Sequence, residues 1–178
     1  MIKMVVGNMF DYPSTYLLVG SNIRGHCESK TSLMSQALPY LEEEELLEYN
    51  EDSKTILKYG DVLTYSMKET APFKKLLIGY PGTAHLESFE QMIVNAIASV
   101  NIIGFMGAQA NSITMPLVGC SATGLTLDEW AEGFNKAVAR LTEKHTKGPL
   151  FLEEIIIVCK TQEQADYLNK TILPYPEV

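Results

Sequence analysis

The sequence predicts a three-layer α/β/α sandwich, and three observations carry that prediction. Short apolar runs rich in branched and aromatic residues alternate with longer stretches whose apolar residues recur at helical spacing. The run EEIIIVCK at 153–160 is almost continuously apolar, the pattern of a strand covered on both faces. Helix starts are marked by capping residues, most clearly Thr126 with Glu129 at the reciprocal capping-box spacing. Doubly buried strands require helices on both sides of one sheet.

The elements follow in order. Residues 2–6 (IKMVV) and 15–20 (TYLLVG) read as buried strands joined by a tight loop that contains Pro13. Residues 29–38 read as a helix stopped by Pro39, because the residue before a proline avoids the helical region. A second helical piece carries Glu42 to Glu45, a solvated acidic face to which no chemistry is assigned. Strands are expected near 60–66 (GDVLTYS) and 74–80 (KKLLIGY), with a turn around Pro72 between them. After Pro81, Gly82 and Thr83, the residues Leu86, Phe89, Met92, Ile93, Ala96, Ile97 and Val100 form one helical stripe. The next strand is expected from Ile113 to Val118. A helix then starts at Thr126, with Leu127, Trp130, Ala131, Phe134, Ala137, Val138 and Leu141 on one face. The strand at 153–160 and a last helix capped by Thr161 and Gln164 complete the chain.

At 178 residues the sequence fits one domain spanning 1–178, which would bury roughly 70% of the surface of its unfolded chain. Composition is that of an ordinary globular protein, with 46% hydrophobic and 20% charged residues. A net charge of −8 argues against non-specific nucleic-acid binding, which needs clustered Lys and Arg. Cys27, Cys120 and Cys159 are odd in number and lack paired metal-ligand spacing, so a reduced compartment and no metal site are expected. Apolar runs fall far short of the ~20 residues that cross a bilayer, and a signal-type N-terminus is missing, so the expected location is cytoplasmic with no membrane partner.

The stretch SITMPLVGCSATGLTLDEW at 112–130 raises the question of function. Between strand and helix come Gly119, Cys120, Ser121, Ala122, Thr123 and Gly124, none larger than a threonine, so a ligand could touch backbone there. A strand end, a loop of small residues and a helix start together offer unpaired N–H groups in one concavity, which suits a phosphate. An ordinary β-to-α turn is the alternative reading of the same residues. In open α/β sheets ligands bind outside the carboxyl ends of strands. Three loops are expected there: Gly7-Asn8-Met9-Phe10, Ser21-Asn22-Ile23-Arg24-Gly25-His26, and 119–124.

In this order the motifs resemble those of the macro domain, the ADP-ribose-binding fold, over nearly the whole chain. Gly7-Asn8-Met9 stands where that family has Gly-Asp-Ile or Gly-Asp-Leu, and Ser21-Asn22 stands where it has an Ala-Asn pair. Gly60-Asp61-Val62, Tyr80 and the helix from His85 take later positions, and the 112–124 stretch resembles the family's Pro-x-Ile-(Ser/Gly)-x-Gly phosphate loop. The pattern is most similar to the branch of terminal ADP-ribose glycohydrolases and ADP-ribose-1''-phosphate phosphatases. The resemblance implies a mixed central sheet and a cleft for ADP-ribose or a related nucleotide. It places Asn8 and Met9 at adenine, Asn22 near the distal ribose, and Gly119, Cys120, Ser121, Ala122, Thr123 and Gly124 around the diphosphate.

Departures from the family bear on activity. Asn8 replaces the acidic residue that accepts from the adenine amino group, and its amide oxygen is a neutral, weaker acceptor. The glycine-rich first phosphate loop is replaced by Ile23-Arg24-Gly25-His26-Cys27-Glu28, where Arg24 and His26 either supply charge to the ligand or lie on the surface. The lysine that the glycohydrolase branch uses covalently has no counterpart at Ile78-Gly79-Tyr80, since Lys74 and Lys75 lie at the other end of that strand. Thr123 stands in place of its acid/base aspartate, and no catalytic residue can be assigned, although His26 or Cys27 could replace the nucleophile or base. Three functions follow from the resemblance and its gaps. The first is an ADP-ribose-binding module without a cofactor. The second is a hydrolase acting on ADP-ribose-1''-phosphate or on an ADP-ribosylated protein partner. The third is a protein-interaction domain with a decayed pocket.

Overall fold

The structure, a computed structural model, describes residues 1–21, 33–52, 58–82, 86–105, 112–120, 124–144 and 152–174, with the side chains of 102–105 and 144 excepted. Six strands form one mixed sheet: β1 (Ile2–Val6), β2 (Tyr16–Gly20), β3 (Val62–Ser66), β4 (Lys75–Gly79), β5 (Ser112–Pro116) and β6 (Glu154–Cys159). Their spatial order is β1-β6-β5-β2-β4-β3. All neighbours pair in parallel except β3, which runs antiparallel along β4 with Val62 opposite Gly79. The carboxyl ends of β1, β6, β5, β2 and β4 therefore leave the sheet along one edge.

Alternation within each strand builds two cores. Tyr16 and Leu18 of β2 and Ile155, Ile157 and Cys159 of β6 face one side. There α3 (Leu86–Phe105), α4 (Leu127–Lys144) and α5 (Gln162–Thr171) cover them with the stripes read from the sequence. Leu17, Val19, Ile156 and Val158 face the other side, under α1 (Leu33–Ala37), α2 (Glu43–Asp52) and the short 3-10 turns. Each such side chain contributes about 1.5–3 kcal/mol of transfer free energy. The three-layer prediction holds.

Boundaries differ from expectation in three places. β5 ends at Pro116, not at Val118, because the chain doubles back there and the Val118 N–H donates to the Pro116 carbonyl at 2.9 Å. Pro39 does not stop the first helix. α1 ends at Ala37 and Pro39 sits inside a following 3-10 turn, Leu38–Tyr40, where its missing N–H costs nothing. Residues 29–32 lie outside the described residues. Gly60 and Asp61 precede β3 in a turn held by Asp61 N–H to the Lys58 carbonyl at 3.1 Å.

Buried polar groups show where the packing is tied. The hydroxyl of Thr114 of β5, fully buried, lies within hydrogen-bond distance of the Tyr12 carbonyl at 2.9 Å and of Ser14 Oγ at 2.8 Å, binding the β1–β2 connection to the middle of the sheet. Asn101 of α3 is 5% exposed, and neither its Oδ1 nor its Nδ2 has a partner among the described residues. Among the described residues no helix is long and apolar enough to cross a membrane.

Candidate functional site

The parallel edge gathers the predicted loops. After β1 the chain enters a 3-10 turn, Met9–Asp11, whose N-cap is Asn8. The Asn8 side-chain oxygen accepts from the Phe10 N–H at 3.0 Å, and its carbonyl accepts from Asp11 N–H at 3.0 Å. Asn8 itself is exposed on the edge. Met9 is 2% exposed and packs in the core under α1 and α2, so only its backbone can face a ligand. The turn is held from below by Gly7 N–H to the Cys159 carbonyl at 3.2 Å and by Tyr12 hydroxyl to the Val6 carbonyl at 2.7 Å.

Three more loops meet at the end of β2. A β-carbon placed on Gly20 would lie 2.6 Å from Val118 Cγ1 and 4.0 Å from Pro81 Cδ, so the β5–α4 loop and the β4–α3 connection both close onto a glycine. Ser21 continues β2 by donating its N–H to the Gly79 carbonyl at 2.9 Å. Asn22, Arg24 and His26, like Cys27, lie outside the described residues. What brings Val118 to this point is Trp130, whose indole N–H donates to the Val118 carbonyl at 3.1 Å in the buried core. The indole stacks on Phe134 at 5.2 Å and meets Phe89, tilted, at 5.6 Å.

The loop of small residues is bracketed as the sequence suggests. Gly119 has φ +91° and Gly124 has φ +78°, conformations that cost an L-residue about 1–2 kcal/mol. The Leu125 N–H donates to the Gly119 carbonyl at 3.1 Å and closes the loop. Ser121, Ala122 and Thr123 lie outside the described residues. One of the amides expected to face phosphate is spent internally: the Cys120 N–H donates to the Leu117 carbonyl at 3.1 Å.

The start of α4 is a weaker anion site than the sequence implied. Thr126 Oγ1 accepts from the Glu129 N–H and Glu129 Oε1 accepts from the Thr126 N–H, each at 3.1 Å, so the capping box forms as predicted. Asp128 and Glu129 in that first turn already answer the positive helix end with two carboxylates. A diphosphate here would depend on loop backbone more than on the helix dipole.

Sequence reasoning missed Lys160. It is the first residue after β6, exposed, and lies on the edge between the β1 turn and the β5 loop. Its ammonium is near enough to Cys120 to oppose, in part, the rise of that thiol. Its signal in the sequence was position alone, a cation directly following a parallel strand.

The remaining chemistry on the edge is neutral. Burial pushes the Cys120 thiol up to about 11, with the Cys159 and Glu129 charges adding to it, and burial does the same to Cys159. Both thiols are free and stay protonated at neutral pH. Tyr80, 1% exposed, has its phenol held well above the usual range by burial and then by Tyr49, Asp52 and Asp61. It can only donate. Lys75 opens β4 at the opposite edge, where its ammonium donates to Ser66 Oγ at 3.3 Å, and Gly79 closes the strand, so β4 brings no lysine to the site.

No family model matches the sequence, and no characterised protein matches it by sequence. Solved structures do match in three dimensions. The Trypanosoma brucei macrodomain in complex with ADP-ribose superposes with a TM-score of 0.74 at 12% identity, covering 95% of this chain and 68% of that one. The Oceanobacillus iheyensis macrodomain with ADP superposes with a TM-score of 0.73 at 14% identity, covering 94% of this chain and 87% of that one. The sheet and its covering helices thus follow a known overall architecture. The chain has the macrodomain fold.

Proposed function

We propose that the chain binds ADP-ribose or a related ADP-ribose-containing nucleotide in a cleft along the carboxyl edge of the parallel strands. The observation that carries this reading is the convergence at Gly20, where the loops after β2, β4 and β5 close together beside the two positive-φ glycines. The β1 turn with Asn8 lies three strand intervals from β2, roughly 14 Å, which suits an elongated ligand with a base at one end and a sugar at the other. Lys160 between them supplies countercharge for a diphosphate. The solved macrodomains with ADP and ADP-ribose bound support the same assignment.

Catalysis is the second reading, as a phosphatase on ADP-ribose-1''-phosphate or a hydrolase on ADP-ribosylated protein. The described residues weigh against a covalent route, because β4 ends in Gly79 and the Cys120 thiol is protonated. The decisive experiment is calorimetric titration with ADP-ribose, ADP-ribose-1''-phosphate, NAD and ATP, followed by product analysis. ADP-ribose is expected to bind near ~1 μM, about −8 kcal/mol, with AMP weaker. Release of ADP-ribose from modified protein is expected to be slow or absent. Flat traces for every adenine diphosphate would leave the interaction-domain reading in its place.

A further inference from the structure

We infer that Asn95 of α3 is a positioning residue for the sugar end of the cleft, the last side chain of a hydrogen-bond chain that starts at Arg140 on α4 and ends on the backbone that follows β4. The inference rests on the nucleotide-binding reading above. Arg140 Nη2 donates to Gln91 Oε1 at 2.9 Å, while its Nη1 donates to Glu90 Oε1 at 3.2 Å. Gln91 Nε2 donates to Asn95 Oδ1 at 2.9 Å, and Asn95 Nδ2 donates to the Gly60 carbonyl at 2.8 Å. The Gly60 N–H then donates to the Tyr80 carbonyl at 2.6 Å, and the Tyr80 N–H donates to the Asp61 carbonyl at 3.0 Å. Side chains of two helices are thus tied to the first residue after β4.

The chain has one allowed direction. A guanidinium only donates and a backbone carbonyl only accepts, so both amides between them are fixed with oxygen toward Arg140 and nitrogen toward Gly60. Gln91 and Asn95 stand four residues apart and so share one face of α3. The turn that they hold is packed as well as bonded: a β-carbon on Gly60, whose φ is +95°, would lie 3.1 Å from Gln91 Cγ, and one on Gly82 would lie 3.0 Å from Tyr59 Cγ. Between Tyr80 and Gly82 stands Pro81, the residue that approaches Gly20 at the end of β2. A shift of the Gly60 carbonyl therefore shifts the β4–α3 connection, which lies at the opposite end of the cleft from the β1 turn.

The test is calorimetry of the whole chain and of its Asn95→Asp and Gln91→Glu variants with ADP-ribose and with AMP, which lacks the second phosphate and the distal ribose. Asn95→Asp keeps an acceptor for Gln91 Nε2 but sets an oxygen against the Gly60 carbonyl. Gln91→Glu keeps the pairing with Arg140 but turns the Asn95 nitrogen toward itself, and the Gly60 carbonyl again loses its donor. Each variant is expected to bind ADP-ribose roughly tenfold more weakly, the scale of one mismatched polar contact, and to bind AMP as the parent does. Gln91→Glu carries the test if Asn95→Asp does not fold. A lower melting temperature with the parental ratio of the two affinities, or parental affinity for both ligands, makes the chain of bonds structural only and overturns the inference while leaving nucleotide binding in place. Failure of the parent to bind ADP-ribose overturns both.

Discussion

The indole N–H of Trp130 holds the carbonyl of Val118 at 3.1 Å, and through it a helix in the core fixes the loop that follows β5. Trp130→Phe keeps most of the ring stack with Phe134 but leaves a buried carbonyl without its donor. It should cost about 1–3 kcal/mol of stability and weaken ADP-ribose binding, read from melting temperature and calorimetry together. A variant with parental stability and parental affinity would show that the loop is positioned some other way.

Val118 in turn occupies the space a side chain on Gly20 would need. Gly20→Ala places a methyl 2.6 Å from Val118 Cγ1, so something must move, and the domain should lose stability. Val118→Ala in the same chain removes the obstructing atom. Melting of the two single variants and the double variant should show a positive coupling, with the double variant more stable than Gly20→Ala alone. Simple additivity would mean that the two loops do not touch.

At the loop itself the damaging changes are those of backbone shape. A β-carbon on Gly124 meets no atom within 4 Å, so the first cost of Gly124→Val is the left-handed φ, and about 1–2 kcal/mol is expected. Gly119→Val should act in the same direction. Both should lose ADP-ribose binding while remaining folded, whereas Cys120→Ala should be nearly silent. Loss of binding in Cys120→Ala with binding kept in both valine variants would remove the diphosphate from this loop.

Lys160→Met should weaken ADP-ribose binding severalfold and reduce its dependence on salt, since an exposed cation acts through a screened field. Its backbone N–H, which donates to Gln164 Oε1 at 3.0 Å, is unaffected by the change, so α5 should keep its start and the melting temperature should hold. Equal salt slopes in variant and parent would exclude the lysine from the site.

The cysteines make stability fall in alkali. Burial raises both thiols from about 9 to about 11 in the folded state, so between those values the folded chain keeps protons that the unfolded chain has released. Stability from this source is complete below pH 9 and is lost as pH rises through about 11. Denaturant melts of parent and Cys120→Ala across pH 8 to 11 should show a shallower decline in the variant. At pH 8 only about a thousandth of Cys120 is thiolate, and alkylation of the folded protein should be correspondingly slow.

Asn101→Leu should stabilise the domain. It replaces a buried amide whose two polar atoms have no partner among the described residues with an apolar group of similar branching, removing a desolvation cost of about 1–3 kcal/mol. A fall in melting temperature would show that the amide is satisfied in solution.

Sequence periodicity by itself determined the layers. The stripes from Leu86 to Val100 and from Leu127 to Leu141, and the unbroken run at 153–160, are local consequences of which face each residue must bury, so they could be read without coordinates. The capping box at Thr126 and Glu129 and the need for glycine at 119 and 124 are equally local. Tertiary structure decided what local pattern does not encode. The order β1-β6-β5-β2-β4-β3 depends on pairings between distant segments, and it alone puts Lys160 beside the β5 loop. The place where Val118 is held depends on Trp130, a contact twelve residues away that no strand propensity contains. The direction of the Asn8 amide was likewise undetermined until the turn at Met9–Asp11 claimed its oxygen, because an amide has one acceptor face and one donor face and only its neighbours choose between them.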